Sequence, residues 1–232
     1  MITVAPDTAP FNPRSSGMKL FVYEHCPFCV KARMIFGLKQ LPVEVSVLSN
    51  EDEATPISMV GQKMVPILQK EDGSYMPESL DIVKYIDALD GKPVLTGPTN
   101  SAIDAWIRRV YEYAPRLLIP RFSRADFEEF ATDAGRNYFI HKKEGQIGSF
   151  DTHFSQTGAL IGQLEGDLQA LAPLIVSPQA CNGKLSLDDI NLFALLRSLT
   201  IIADVNVPAA VAAYCDTLSQ NADIDLLIEQ AQ

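Results

Sequence analysis

Two cysteines, Cys26 and Cys29, stand three positions apart in "YEHCPFCVKAR" (23–33), within a chain that holds four cysteines. On a helix that spacing places both sulfurs on one face. Such a pair can exchange electrons with a disulfide, supply half of a zinc site, or fill core volume as two small apolar side chains. A zinc site needs two further ligands. Cys181 and Cys215 are far apart, and His25, His141 and His153 form no second cluster, so no metal is expected. The place of the motif in the chain favours redox chemistry over inert core thiols.

That place is the end of a strand and the start of a helix. KLFVY (19–23) is a short apolar run stopped by Glu24 and His25, which suits a buried strand. From Pro27 the period changes, with Val30, Met34, Ile35 and Leu38 at helical spacing and Lys31, Arg33 and Lys39 on other faces. Proline fits the first turn, where a missing N–H costs nothing. Cys26 thus lies where free backbone N–H groups and the positive end of the helix dipole favour an anion. Thiols so placed ionise at ~3.5 to ~7.5 instead of ~8.5, so Cys26 is the nucleophile. Lys31 and Arg33 strengthen this effect and Glu24 opposes it. Cys29, deeper in the helix, keeps a more ordinary pKa and is set to attack a mixed disulfide formed at Cys26. His25, a lone histidine beside the nucleophile, is expected to be solvent-exposed and idle.

The following segments supply the rest of a small α/β unit. Pro42 ends the helix, and VEVSVL (43–48) has the β-branched enrichment of a second strand. SNEDEATP opens a short helix to about Val60, with Glu51, Asp52 and Glu53 as a solvated, dipole-favoured start. MVPILQ (64–69) is a third strand, EDGS (71–74) a hairpin turn, and a fourth strand lies near Tyr75. PESLDIVKYIDAL then forms an amphipathic helix with Leu80, Val83 and Ile86 or Tyr85 inward. The order βαβαββα fills residues 18–89.

DGKPVLTGP (90–98) carries two glycines and two prolines and reads as a linker. Residues 99–232 show helical segments near 100–118, 124–142, 150–172, 187–203 and 208–228, with no strand alternation. A switch from mixed α/β to all-α at such a linker marks two domains. Trp106, Tyr111 and Tyr113 serve packing between helices, and Cys181 and Cys215 are bystanders. Residues 1–17, with three prolines and no apolar core, read as a disordered or added extension, with Met18 as the candidate native start.

Composition narrows the function. The 232 residues are 47% hydrophobic and 21% charged, with a net charge of -10. This balance argues against nucleic-acid and anionic-membrane partners, which need a basic surface. No stretch reads as a signal peptide or a membrane span, and uneven cysteine spacing points to a reducing cytoplasm.

Two further stretches bear on substrate binding. Val65-Pro66 puts a residue without an N–H at the start of a strand. Composition alone favours an ordinary trans proline there. The alternative is a cis peptide that leaves the Val65 backbone N–H and C=O free to pair with an extended, peptide-like substrate. Pro77, Glu78 and Ser79 start a helix, and capping is their simplest role. The same N-terminus also suits a carboxylate.

Taken together, C-P-F-C after the first strand, M-V-P before the third and P-E-S opening the third helix resemble the glutaredoxins and the glutathione-binding domain of glutathione transferases. Ser186-Leu187-Asp188-Asp189-Ile190 resembles the capping box that opens a core helix in the second domain of the transferases. The runs "HCPFCVKARMIFGLK", "MVGQKMVPILQK" and "PESLDIVKYIDALDGKP" are similar to the large, transferase-like bacterial glutaredoxins, and the similarity extends from Met18 to the C-terminus. The resemblance implies a thioredoxin-like N-terminal domain, an all-α C-terminal domain and reduction of glutathione mixed disulfides and protein disulfides. It makes glutathione the co-substrate, with glutathionylated or disulfide-containing proteins as partners and no metal. It makes Cys26 the nucleophile, Cys29 the resolving thiol, Val65 the backbone partner of glutathione's cysteinyl unit and Pro66 a cis proline. Glu78 and Ser79 then hold the γ-glutamyl end. Phe28 departs from the tyrosine usual there, losing a hydroxyl but keeping an aromatic wall beside the thiols. Alternative readings are a cysteine-type glutathione transferase or dehydroascorbate reductase, and a non-enzymatic interaction module. The oligomeric state stays open, a monomer included.

Overall fold

The structure, a computed structural model, describes residues 17–232, so the reading of residues 1–16 as an extension lies outside the described residues. The α/β half runs β1 (Lys19–Val22), α1 (Pro27–Leu38), β2 (Glu44–Val47), α2 (Ala54–Val60), β3 (Ile67–Gln69), β4 (Tyr75–Pro77) and α3 (Ser79–Ala88), the expected order. Its sheet has the order β2-β1-β3-β4. β1 pairs parallel with β2, Phe21 opposite Ser46, and antiparallel with β3, Phe21 opposite Ile67. A parallel neighbour requires a crossover, and α1 is that crossover. The hairpin between β3 and β4 turns at Gly73, whose φ of 81° suits glycine. Asp72 secures the turn by accepting hydrogen bonds from the Ser74 N–H and hydroxyl.

The second half is helical: α4 (Ser101–Tyr111), α5 (Ala114–Phe122), α6 (Asp133–Ile147), α7 (Phe150–Ser155), α8 (Thr157–Leu171), α9 (Leu187–Leu199) and α10 (Ala209–Ala222). Several expected segments are cut. The segment expected at 100–118 breaks at Glu112–Tyr113, because Pro115 belongs in the first turn of a new helix. The next begins at Asp133, not 124, where the Thr132 hydroxyl caps it by accepting from the Gly135 N–H. Residues 124–132 instead cross towards the α/β half through a 3-10 turn at Glu128–Phe130. The segment at 150–172 is interrupted at Gln156, and α10 stops at Ala222 because Asp223 takes a left-handed conformation.

Helix α1 lies at the centre. It packs on α3 of its own half and on α9 and α10 of the other, so it is apolar nearly all round. Val30, Met34 and Ile35 are buried as expected, and so are Ala32 and Phe36. Gly37 permits the approach of α10, since a Cβ there would meet the Ala222 carbonyl oxygen at 1.8 Å. The connector between α3 and α4 has neither helix nor strand, yet it is tied down: Asp87 accepts from the N–H groups of Val94 and Leu95. Lys39 donates to the Asp87 and Lys92 carbonyls and to Asp90. Among the described residues no helix is long and apolar enough to cross a membrane.

Candidate active site

Cys26 occupies the N-cap of α1, with φ -74° and ψ 118°, and Pro27 opens the helix. Cys29 is fully buried one turn in, where its sulfur accepts a weak bond from the Tyr23 N–H at 3.4 Å. The Cys26 thiol is lowered to about 6. The chief cause is a hydrogen bond from the Cys29 thiol; the nearby His25 and the Cys29 and Phe28 backbone N–H groups add to it, against the cost of burial. Cys29 moves the other way, well above the ordinary thiol range, through burial first and then through the hydrogen it gives to Cys26. One sulfur is therefore an anion at neutral pH and its neighbour a proton donor.

A cavity of about 360 Å³ opens over Cys26 and is walled from both halves by Phe28, Val65, Tyr111, Tyr138 and Lys143, among others. Its volume suits a small ligand. Phe28 is about half exposed, with the Lys31 ammonium 5.0 Å from its ring centre. The Glu24 carboxylate, expected to oppose the thiolate, is engaged by the Glu128 N–H at 2.8 Å. A second, apolar cavity of about 380 Å³ lies among α8, α9 and α10 with Cys215 on its wall. Burial pushes that thiol up to about 12, which disqualifies it as a nucleophile.

The Val65-Pro66 peptide is cis, against the trans form that composition favoured and in line with the resemblance. Among the described residues the Val65 backbone makes no hydrogen bond within the sheet or to neighbouring loops. In the β3–β4 register Ile67 faces Pro77, so the Val65-Pro66 peptide and the Glu78-Ser79 helix start leave the hairpin at the same sheet end. Glu78 is exposed, with φ 73°, and Ser79 is buried at the start of α3. Cys26, Phe28 and Val65 line one concavity, and Glu78 and Ser79 are not among its lining residues.

Three expectations fail, for Cys29, whose thiol lies well above the ordinary range instead of within it, for His25 and for Tyr111. His25 is not exposed: it is 8% accessible, and its Nδ1 lies 2.6 Å from Glu129 Oε1. Glu51, Asp52 and Glu53 form the solvent-accessible start of α2 as expected, and they make contacts besides. Glu51 accepts from the Thr132 hydroxyl and Glu53 from that of Tyr138, so both bind the helical half, while Asp52 caps α2 at the Thr55 N–H. Trp106 and Tyr113 do serve packing, both donating to Asp167 of α8. Tyr111 departs from that role, since it lines the cavity with a buried hydroxyl that lacks a hydrogen-bond partner. Burial chiefly, and the Cys26 charge, push this phenol up to about 12, so it stays protonated. Sequence reading passed over Glu129, Tyr138 and Lys143 altogether. The signal that existed was the density of aromatics at Phe122, Phe127, Phe130 and Phe139, which points to a buried cluster and not to its target.

All four cysteines are free, and the described residues contain no group of three or more His, Cys, Asp or Glu placed to hold a metal ion. A four-stranded thioredoxin-like sheet, an all-α second half and a thiol pair at the first helix start define a protein of the glutathione-transferase-like class. Residues 20–94 match the model of the glutathione S-transferase N-terminal domain, and residues 102–231 that of the glutaredoxin 2 C-terminal domain. The chain belongs to the glutaredoxin 2 family. It is 55% identical over 214 residues to glutaredoxin 2 of Escherichia coli K12, covering 92% of this chain and 100% of that one. Glutaredoxin 2 of Salmonella typhimurium, solved in complex with glutathione, is 57% identical and superposes with a TM-score of 0.92, over 93% of this chain and 99% of the other. The fold alone is shared with a glutathione S-transferase of Ceriporiopsis subvermispora, 12% identical with a TM-score of 0.69 over 88% and 97% of the two chains.

Proposed function

We propose that this chain is a glutathione-dependent thiol-disulfide oxidoreductase whose nucleophile is Cys26 and whose resolving thiol is Cys29. The observation that carries the reading is the opposed ionisation of the two sulfurs at one helix start, Cys26 lowered to about 6 and Cys29 raised. The Cys26 thiolate attacks the glutathione sulfur of a protein mixed disulfide. A Cys26–glutathione bond forms, the protein–glutathione bond breaks, and the departing protein thiolate takes up a proton. A second glutathione, as thiolate, attacks that sulfur, releasing oxidised glutathione and restoring the Cys26 thiolate. With a protein disulfide, the intermediate is a Cys26–protein bond, and Cys29, after losing its proton, displaces the protein thiolate to form the Cys26–Cys29 disulfide. Two glutathiones then reduce it.

Glutathione binds across the end of the sheet. The unbonded Val65 backbone pairs with its cysteinyl unit next to the cis Pro66, Phe28 walls the thiols, and Glu78 with Ser79 holds the γ-glutamyl group. Glutathionylated and disulfide-containing proteins are the partners, and a reducing cytoplasm suits a chain with four free cysteines. The transferase alternatives give Cys29 no task, yet its thiol is the chief cause of the lowered Cys26 pKa. Reduction of a glutathionylated peptide and of a protein disulfide by single variants tests the assignment. Cys26→Ser loses both activities, whereas Cys29→Ser keeps the first and loses the second; activity in Cys26→Ser overturns the scheme.

A further inference from the structure

The residue before the nucleophile is held by the other half of the molecule. Glu129, in the 3-10 turn ahead of α6, is fully buried. Its Oε1 accepts the His25 backbone N–H at 3.0 Å and stands 2.6 Å from His25 Nδ1. Its Oε2 is buried and accepts no hydrogen bond from another residue. The carboxyl is held below its ordinary value despite a burial that pushes it up, because His25 supplies a side-chain bond, a nearby charge and a backbone bond. An ionised carboxylate only accepts, so the His25 proton sits on Nδ1. The ring itself is walled by aromatics. Tyr23 stacks on it at 5.9 Å and 8°, Phe130 at 5.3 Å and 24°, and Phe139 meets it edge-on at 5.1 Å.

We propose that Glu129 is a positioning residue for the nucleophile: acting through His25, it fixes the backbone entering Cys26 and holds an imidazole of set orientation beside the sulfur. Domain docking then becomes part of thiol activation. The inference rests on the function proposed above. A purely structural clasp explains less. A glutamine would make the same two contacts without the cost of a buried charge whose second oxygen accepts no hydrogen bond from another residue. The carboxylate, which only accepts, fixes the proton on Nδ1 and with it the ring's orientation beside the thiolate, whereas a glutamine amide can donate as well as accept and leaves both open.

Other charges face the pair and bear on the test. Arg197 of α9 donates to the Glu24 carbonyl, and Arg136 of α6 lies over Phe130. On the cavity side are Lys143 and, behind Phe28, Lys31, both electrostatically coupled to Cys26. Tyr23 and Tyr111 are both shifted upward and do not titrate near neutral pH. Glu129 itself helps to raise Tyr23 and Arg197, so Glu129→Gln shifts both downward, while the environments of Lys31, Lys143 and Tyr111 do not involve it directly.

The measurement is the rate of Cys26 alkylation by iodoacetamide against pH, which needs no glutathione and so separates this proposal from the activity. A wild-type midpoint near an ordinary thiol would remove the functional reading itself. With the wild-type midpoint low, Glu129→Gln is expected to raise it by about half a unit to one unit, a three- to tenfold loss of thiolate below the midpoint. Simple removal of a negative charge would lower the midpoint, so an unchanged or lower value overturns the proposal. In a His25→Phe background the same substitution is expected to raise nothing further; an equal rise there shows that Glu129 does not act through His25. If the variants fail to fold, ¹⁵N NMR of the intact protein decides. A His25 proton on Nδ1 supports the proposal, and a ring protonated at Nε2 alone refutes it.

Discussion

Two helix starts in this molecule use the same spacing for opposite ends. Helix α9 begins Ser186-x-x-Asp189 and helix α1 begins Cys26-x-x-Cys29, with the cap at the first position and the third helical residue at the second. At α9 the box is complete: the Ser186 side chain caps the first turn and Asp189 accepts from the Ser186 N–H at 2.9 Å. Asp189 also accepts from the Cys181 N–H and the Tyr214 hydroxyl, so its carboxylate is the hub of a buried network. At α1 no side chain caps the helix and no acidic residue occupies the first turn. Its free N–H groups and dipole act on a sulfur instead. A thiol near the filled site, Cys181, is pushed far up by burial and by Asp189, while the thiol at the open site falls to about 6. A helix start can contribute stability when an anion occupies it permanently, or reactivity when it is kept for an anion that comes and goes.

Four substitutions test this contrast. The largest effect belongs to Asp189→Ala, which leaves three buried donors without an acceptor; urea denaturation should show a loss of about 3 kcal/mol or more. Next, Cys29→Asp places a permanent carboxylate in the first turn of α1, converting it towards the α9 arrangement. Relative to Cys29→Ser, the alkylation midpoint of Cys26 should rise by about one unit, close to tenfold in thiolate below the midpoint. Ser186→Ala removes only the cap hydroxyl and should cost about 1 kcal/mol in the same denaturation assay. The smallest change is expected of Tyr111→Phe, which deletes a buried hydroxyl without a partner and should leave the melting temperature unchanged or slightly raised.

The open helix start also predicts a pH signature. Because the folded Cys26 pKa lies below its unfolded value, the native state binds fewer protons between them. The resulting stabilisation is fully present above the ordinary thiol pKa of about 8.5 and disappears as pH falls through about 6. Denaturation midpoints followed from pH 9 to pH 5 should therefore fall less steeply in Cys26→Ser than in the wild type; equal slopes would mean that α1 does not stabilise the thiolate.

Sequence by itself determined whatever depends on neighbours within one turn or one hairpin. The period change at Pro27 located the first helix, three-residue spacing joined Cys26 to Cys29 and Ser186 to Asp189, and glycine in EDGS located the hairpin. Backbone geometry alone enforces such relations, so they survive without knowledge of the fold. Helix interruptions at Glu112–Tyr113 and Gln156 were harder to read, since an apolar period runs through them and tertiary packing decides where each helix stops. What only the tertiary structure decided is who stands opposite the thiols. Glu129 is 104 residues from His25, Tyr138 is 85 from Glu53, and no periodicity links such pairs. Their meeting follows from the packing of α1 against the helical half and the crossing of residues 124–132 towards it, which turned a histidine expected in solvent into the buried link between the two halves.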